Sequence, residues 1–153
     1  MLLDLVVPTG SVRLTLFRDN QIIQEFVNHN LVVDSGLALI TSRLEGVADN
    51  VVSHMAIGNG TTAPVGTNID LESMLGSRVV LDGTNRVTTT TPNDTIQYTC
   101  TFEQGISSGV ITEAGIFNAI SGGTMMARVI FSAINKGALD TLVITWQLRF
   151  AGI

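Results

Sequence analysis

The chain has 153 residues, a length that fits one domain, with 8 basic and 13 acidic side chains and a net charge of −5. Charged residues make up 14%, against about 25% in an ordinary soluble domain, and no basic cluster stands out, which argues against direct binding to nucleic acid. No apolar run reaches the roughly 18 residues that a membrane-spanning helix needs, and the single cysteine, Cys100, can form neither an internal disulfide framework nor a zinc site by itself.

The chain opens on Met1-Leu-Leu-Asp-Leu-Val-Val-Pro8. This stretch is apolar but lacks a basic start and contains Asp4, so it does not read as a secretory signal, and a cytoplasmic origin is the default expectation. Residues 1–10 are a candidate arm. Leu2, Leu3, Leu5, Val6 and Val7 have the composition of a strand that adds to a neighbour's sheet edge, with Pro8 ending that pairing because it has no N–H. They read equally well as the first strand of the chain's own sheet. Residues 11–153 are expected to form a single domain.

Residues 11–17 read as a strand, with Val12, Leu14 and Leu16 on one face, and Arg18-Asp19-Asn20 as a turn. Residues 22–27 return to make a hairpin, punctuated by Asn28-His29-Asn30. Asp34 or Ser35 is placed to cap a helix that runs to about Leu44 and closes at Gly46. Val33, Leu37, Ile40 and Leu44 fall at helical spacing and predict the face laid on the sheet. Residues 51–57 form a further strand, followed by the turn-rich loop Gly58-Asn-Gly-Thr-Thr-Ala-Pro64. Residues 70–75 predict a short helical turn, and 78–81 pair with 86–91 across 82–85.

Residues 95–103 are expected to alternate, with Cys100 in phase with Ile96, Tyr98 and Phe102 as a small core side chain. Residues 111–117, a turn at 121–123, residues 124–131, a loop at 135–137 and residues 140–150 complete the set. In the last run Leu142, Ile144, Trp146, Leu148 and Phe150 share one side, while Thr141, Val143, Thr145, Gln147 and Arg149 share the other. That period of two is the signature of a half-buried strand. About nine strands with one or two short helices predict a mainly β fold, an antiparallel β-sandwich that is jelly-roll-like. Alternation alone does not separate a jelly roll from another sandwich or a partly open barrel.

Catalytic patterns are scarce. His29 lies among turn formers and His54 lies in a strand, so neither converges with the further ligands that a metal site needs. Gly58-Asn59-Gly60 lacks the rest of a nucleotide-binding fingerprint and reads as a tight turn. Asp70 and Glu72 suit the positive end of a predicted helical turn. Glu113, in phase with Ile111 and Phe117, is the carboxylate most in need of explanation. A carboxylate buried there requires a partner, for which Arg78, Arg128 or backbone donors are the candidates, and a polar anchor is favoured over a general acid. There is no Gly-x-Ser-x-Gly elbow and no cysteine–histidine pairing. The expectation is a protein that is not an enzyme, with no catalytic residue, cofactor or metal.

Three stretches carry a resemblance. They are Asn30-Leu-Val-Val-Asp-Ser-Gly36; Ser53-His-Met-Ala-Ile-Gly-Asn-Gly-Thr-Thr-Ala-Pro64 with Leu71, Glu72 and Arg78; and Ile111-Thr-Glu-Ala-Gly-Ile-Phe-Asn118 with Gly123-Thr-Met-Met-Ala-Arg128, Ile134-Asn-Lys136 and Leu142-Val-Ile-Thr-Trp146. In this order they resemble small virion structural proteins of tailed bacteriophages, over most of residues 28–150. The resemblance implies a capsid cement or decoration protein, a homotrimer that clamps neighbouring major capsid protein subunits and stabilises the head. The alternative is a tail component such as a fibre base, baseplate or adaptor protein. It implies a place in the virion, on the capsid surface, after synthesis in the host bacterial cytoplasm. The partners it implies are the major capsid protein and further copies of the chain, and neither nucleic acid nor a membrane is expected as a partner.

Overall fold

The computed structural model describes residues 6–152. Strands β1 (Val6–Arg18) and β2 (Gln21–Val32) form a long hairpin whose two turn residues, Asp19 and Asn20, both adopt positive φ, at 52° and 60°. Such two-residue turns match the natural strand twist, and short Asx side chains tolerate that backbone. Helix α1 (Asp34–Glu45) follows directly. Its last turn closes on Gly46 at φ 89°, where the N–H groups of Gly46 and Val47 return to the carbonyls of Arg43 and Ser42.

The remaining strands are β3 (His54–Gly58), β4 (Met74–Val80), β5 (Gly83–Val87), β6 (Thr95–Phe102), β7 (Gly109–Phe117), β8 (Met125–Lys136) and β9 (Thr141–Gly152). They form one antiparallel sheet in the order β4-β3-β7-β8-β2-β1-β9-β6-β5. The sheet curls into a half-barrel. Its two ends approach each other where β4 meets β6, with the Cys100 thiol 3.9 and 3.7 Å from the Val79 and Val80 carbonyls. Leu81 N–H bonds Ser53 O and Asp82 N–H bonds Thr99 O, which carries the chain across that gap from β4 to β5.

The concave face holds the main core. Val12, Leu14, Leu142, Ile144 and Trp146 from one half pack with Met55, Ile57, Ile116 and Val129 from the other. These are the alternating apolar residues of each strand, and each side chain removed from water contributes about 1.5–3 kcal/mol. Cys100 and Tyr98 belong to the same core, and burial pushes both the thiol and the phenol up to about 12. Among the described residues, no helix is long and apolar enough to cross a membrane.

Several expectations need correction. The helical turn predicted for residues 70–75 is absent; residues 70–73 are irregular, with bends, and Met74 and Leu75 already belong to β4. The hairpin predicted across 82–85 is absent too, because β4 pairs with β3 and β5 pairs with β6 at opposite ends of the strand order. Of the predicted helical face, Val33 is buried and Ile40 packs against the core, but Leu37 and Leu44 are exposed while Gly36 and Leu39 are buried, so the seat of α1 is rotated from the predicted one. Gly36 has no side chain, and a Cβ there would collide with the main-chain carbonyl of Met126. The backbone of α1 therefore sits almost on the start of β8, a docking mode that a hydrophobic pattern cannot signal.

His29 lies within β2, not in a turn. Pro8 does not stop pairing. The ladder between β1 and β9 runs from Val6↔Gly152 through Pro8↔Phe150. Phe150 turns its N–H away, to Asp94 O, and β2 begins pairing only at Gly10. The missing N–H of Pro8 therefore falls where no partner strand asks for one.

Candidate functional site

Residues 59–73, between β3 and β4, form a strap across the convex side of β3, β7 and β8. Its anchor is Glu113 on β7. Strand alternation turns Glu113 to the face opposite the main core, yet the side chain is 0% exposed because the strap covers it. Oε1 accepts from Gly60 N–H at 3.0 Å and Ser73 N–H at 2.7 Å. Oε2 accepts from Glu72 N–H at 3.1 Å and from Arg128 Nε at 3.0 Å. Arg128 Nη2 stands 2.8 Å from Oε2 as an ion-pair contact rather than an aligned hydrogen bond. A carboxylate has about four lone-pair positions, and all are occupied.

Arg128, 2% exposed, completes the lock from β8. Its Nη1 donates to Thr62 O and Asn68 Oδ1 at 3.0 and 3.1 Å, both within the strap. Thr112 Oγ1 donates to Gly60 O at 2.7 Å. Glu72 caps the strap's own turn by accepting from the N–H groups of Thr61 and Thr62, and the Thr62 bonds lead in drawing its carboxyl below the usual range. Gly60 must be glycine for steric reasons, since a Cβ would stand 2.6 Å from Glu113 Oε1. Beneath the strap, Leu71 joins Val33, Ala56, Phe117 and Met125 in a small second core.

Arg78 on β4 borders this region. Its guanidinium lies 3.6 Å above the centre of the Phe117 ring, a cation–π contact, and donates to the carbonyls of Ala119 and Gly122. Asp70 stands 3.7 Å from Arg78.

Beside the strap, α1 and the sheet enclose an open apolar pocket of about 480 Å³, lined by Leu39, Leu44, Val52, Tyr98 and Phe150 among others. Arg43 is the charged residue of its lining, and its Nη1 donates to the carbonyls of Val47 and Asp49. The volume falls in the range of small-ligand and peptide sites.

No family model matches this chain, and no curated protein or solved structure matches it.

The structure therefore brings together Glu113, Arg128, Glu72, Gly58 and Gly60, which the sequence places far apart. Of the candidate partners for Glu113, Arg128 and the backbone donors fill the role; Arg78 is engaged elsewhere. Asp70 and Glu72 cap no helix and serve as turn and ion-pair groups. His54 is half-buried on β3 and shares a hydrogen bond between its Nδ1 and the Ser53 hydroxyl, 2.7 Å away. Burial, with help from the nearby Arg78 charge, lowers its pKa. His29 Nδ1 lies 3.3 Å from Gly10 O. Of the candidate partner contacts, Val6 and Val7 are rungs of the β1–β9 ladder, while Leu2, Leu3 and Leu5 lie outside the described residues. The α1 pocket was not foreseen: its walls come from residues 39 to 150, and only the folded chain assembles them.

Proposed function

We propose that this protein is a non-catalytic component of a phage virion, a cement or decoration protein that bridges neighbouring subunits of the major capsid protein and works as a homotrimer. The observation that carries the reading is the placement of exposed apolar side chains at both ends of the body. At one end, Leu44 on α1 is 82% exposed, beside the open pocket. At the other, Leu139 in the β8–β9 turn is 73% exposed, near the β1–β2 turn to which Arg18 and Asp140 tie it. The twelve residues of β2 separate the two ends, a span of about 35–40 Å at roughly 3.3 Å per residue. A body that is poor in charge and apolar at two distant ends suits simultaneous contact with two neighbours. Joint contact multiplies avidity without any single tight interface.

The resemblance over residues 28–150 supports the same reading, since Glu113, Glu72, Gly60 and Arg128, all within the resembling stretches, serve to hold one rigid surface. Glu113 has no lone pair left for a substrate. The finer fold reading, a jelly-roll-like sandwich, draws support from the junction of β2 with β8. They pair only at Leu31↔Arg128 and Val32↔Ala127, so the curled sheet comes close to parting into two leaves. The partner contact through Leu2, Leu3 and Leu5 belongs to the same proposal.

Copy number tests it. Purified particles should carry hundreds of copies in simple ratio to the capsid protein, and tailless heads should retain them. A few to dozens of copies, lost with the tail, would reject the cement role in favour of a tail component. A truncation that removes residues 1–5 and spares the β1–β9 ladder should fold and fail to join particles. Full incorporation would reject a role for those residues.

A further inference from the structure

We infer that the end of α1 is where copies of this chain meet, with Leu44 of one copy seated in the apolar pocket of the next. The surface carries both halves of such a contact. Leu44 is a largely exposed knob on the rim, and the hollow it borders opens on the same face, lined by Leu39, Val52, Tyr98 and Phe150 among others. At about 480 Å³ the hollow falls in the range that holds a drug-sized ligand, so it admits Leu44 with a second aliphatic side chain. Val47 and Val51 are exposed on the same stretch, and apolar surface gathered in this way marks a contact site. An apolar wall in water is unfavourable, and a wall that adjoins its own plug is covered by repetition of the molecule.

The charges select a second copy over a partner of another kind. Arg43 and Glu45 flank Leu44, both exposed, and they point to opposite sides of the helix because two residues turn it by about 200°. Arg43 donates to the carbonyls of Val47 and Asp49, and neither side chain has an ion-pair partner among the described residues. A partner of one charge sign would pair with one of them and repel the other. A second copy presents both signs. Arg43 lines the pocket, and an entering Leu44 brings Glu45 in beside it. Such rim pairs set orientation more than strength.

The inference rests on the homotrimer reading for the number of copies and supplies its contact. Knob-and-socket contacts that each run from one copy to the next close a ring. Of the two apolar ends, the α1 end then faces its own kind, and Leu139 is left for the capsid protein.

The test is the oligomeric state of the full-length protein, read by sedimentation equilibrium. The parent should sediment as a homotrimer. Leu44→Asp should sediment as a monomer with unchanged circular dichroism, because a side chain already in solvent contributes little to the fold. Added anilinonaphthalene sulfonate should fluoresce more with the variant, since dissociation opens the socket. A trimer that Leu44→Asp leaves intact would overturn the contact while the homotrimer reading stands. A parent dimer that the variant splits would uphold the contact and reject the homotrimer. A monomeric parent would overturn both. Equal fluorescence from a dissociated variant would mean that Leu44 meets some surface other than the pocket, and the socket would be rejected. Glu45→Arg should weaken association several-fold at low salt and hardly at all at high salt; no change at low salt would remove the pairing with Arg43.

Discussion

The strap and helix α1 both leave the sheet and fold back onto it, and they are held to different extents. The strap is pinned by a buried carboxylate and a buried guanidinium, with every lone pair of Glu113 used and three Arg128 nitrogens facing strap or anchor oxygens. The helix is held at its first two turns by Leu39 in the core, by the close approach of Gly36 to the Met126 carbonyl and by the Ser35 hydroxyl donating to Met125 O at 2.8 Å, and beyond them its side chains are largely exposed. A saturated polar lock fixes one geometry and has no capacity left for a ligand. Apolar packing that ends partway along a helix leaves a hollow and exposed leucines. Rigidity therefore belongs to the strap side, and open apolar surface to the helix side.

The largest expected effect lies in the lock. Glu113→Ala leaves Arg128 buried without its counter-charge and frees three strap N–H groups. Removing one partner of a buried pair costs about 3–5 kcal/mol, to be read from urea unfolding followed by circular dichroism. Combining it with Arg128→Met should cost far less than the sum of the two single changes, because each already breaks the same contact. A loss under about 1 kcal/mol for Glu113→Ala would mean that the strap is held by Leu71 and its apolar neighbours instead.

The helix side responds to shape rather than charge. Gly36→Ala would gain about 1 kcal/mol if the helix stood free. Here the added methyl meets the Met126 carbonyl, main-chain atoms that cannot swing aside. Overpacking of about 1–3 kcal/mol outweighs the propensity gain, so net destabilisation is expected in the same unfolding assay, with a widened pocket. A more stable variant would show that α1 rides loosely on β8 and would weaken the contrast drawn above.

Much of the fold was legible because strand alternation is local. The period of two in residues 140–150 places β9 within two residues of its true ends, and Asp19-Asn20 places the first hairpin's turn, although both hairpin strands run five residues beyond the expected 11 and 27. Strand partners were not legible. Asp82-Gly83 looks like a hairpin turn, yet Gly83 opens β5 against β6, since edge strands choose partners by tertiary position rather than by the nearest turn. The helix was found, but its seat was missed because a glycine carries no hydropathy signal. The lock was half legible: a carboxylate in an apolar strand signals a buried partner, and Arg128 was among those named. Its strap was not legible, because Glu72 and Gly60 act through backbone N–H groups and close approach, which leave no trace in spacing.

The smallest expected effect lies at the far end, where Asp140 joins the two turns. Arg18 donates to both carboxylate oxygens at 2.8 Å, Gly137 N–H adds a third bond, and together they hold the carboxyl at about 2 against an ordinary 3.8. A depressed folded-state pKa favours folding above the unfolded value, so this contribution is complete above about pH 4 and fades as the pH falls through about 2. Asp94, held low chiefly by Thr91 N–H, follows the same sign. Asp140→Asn should therefore flatten, without abolishing, the fall in melting temperature between pH 5 and pH 2. Arg18 is 53% exposed, so added salt should shrink the difference between variant and parent. Glu113→Gln, by contrast, should keep its deficit in high salt, because its partner is sealed from solvent. If both deficits screened alike, the strap would be as open to water as the turn, and the reading of the strap as a sealed lock would fail.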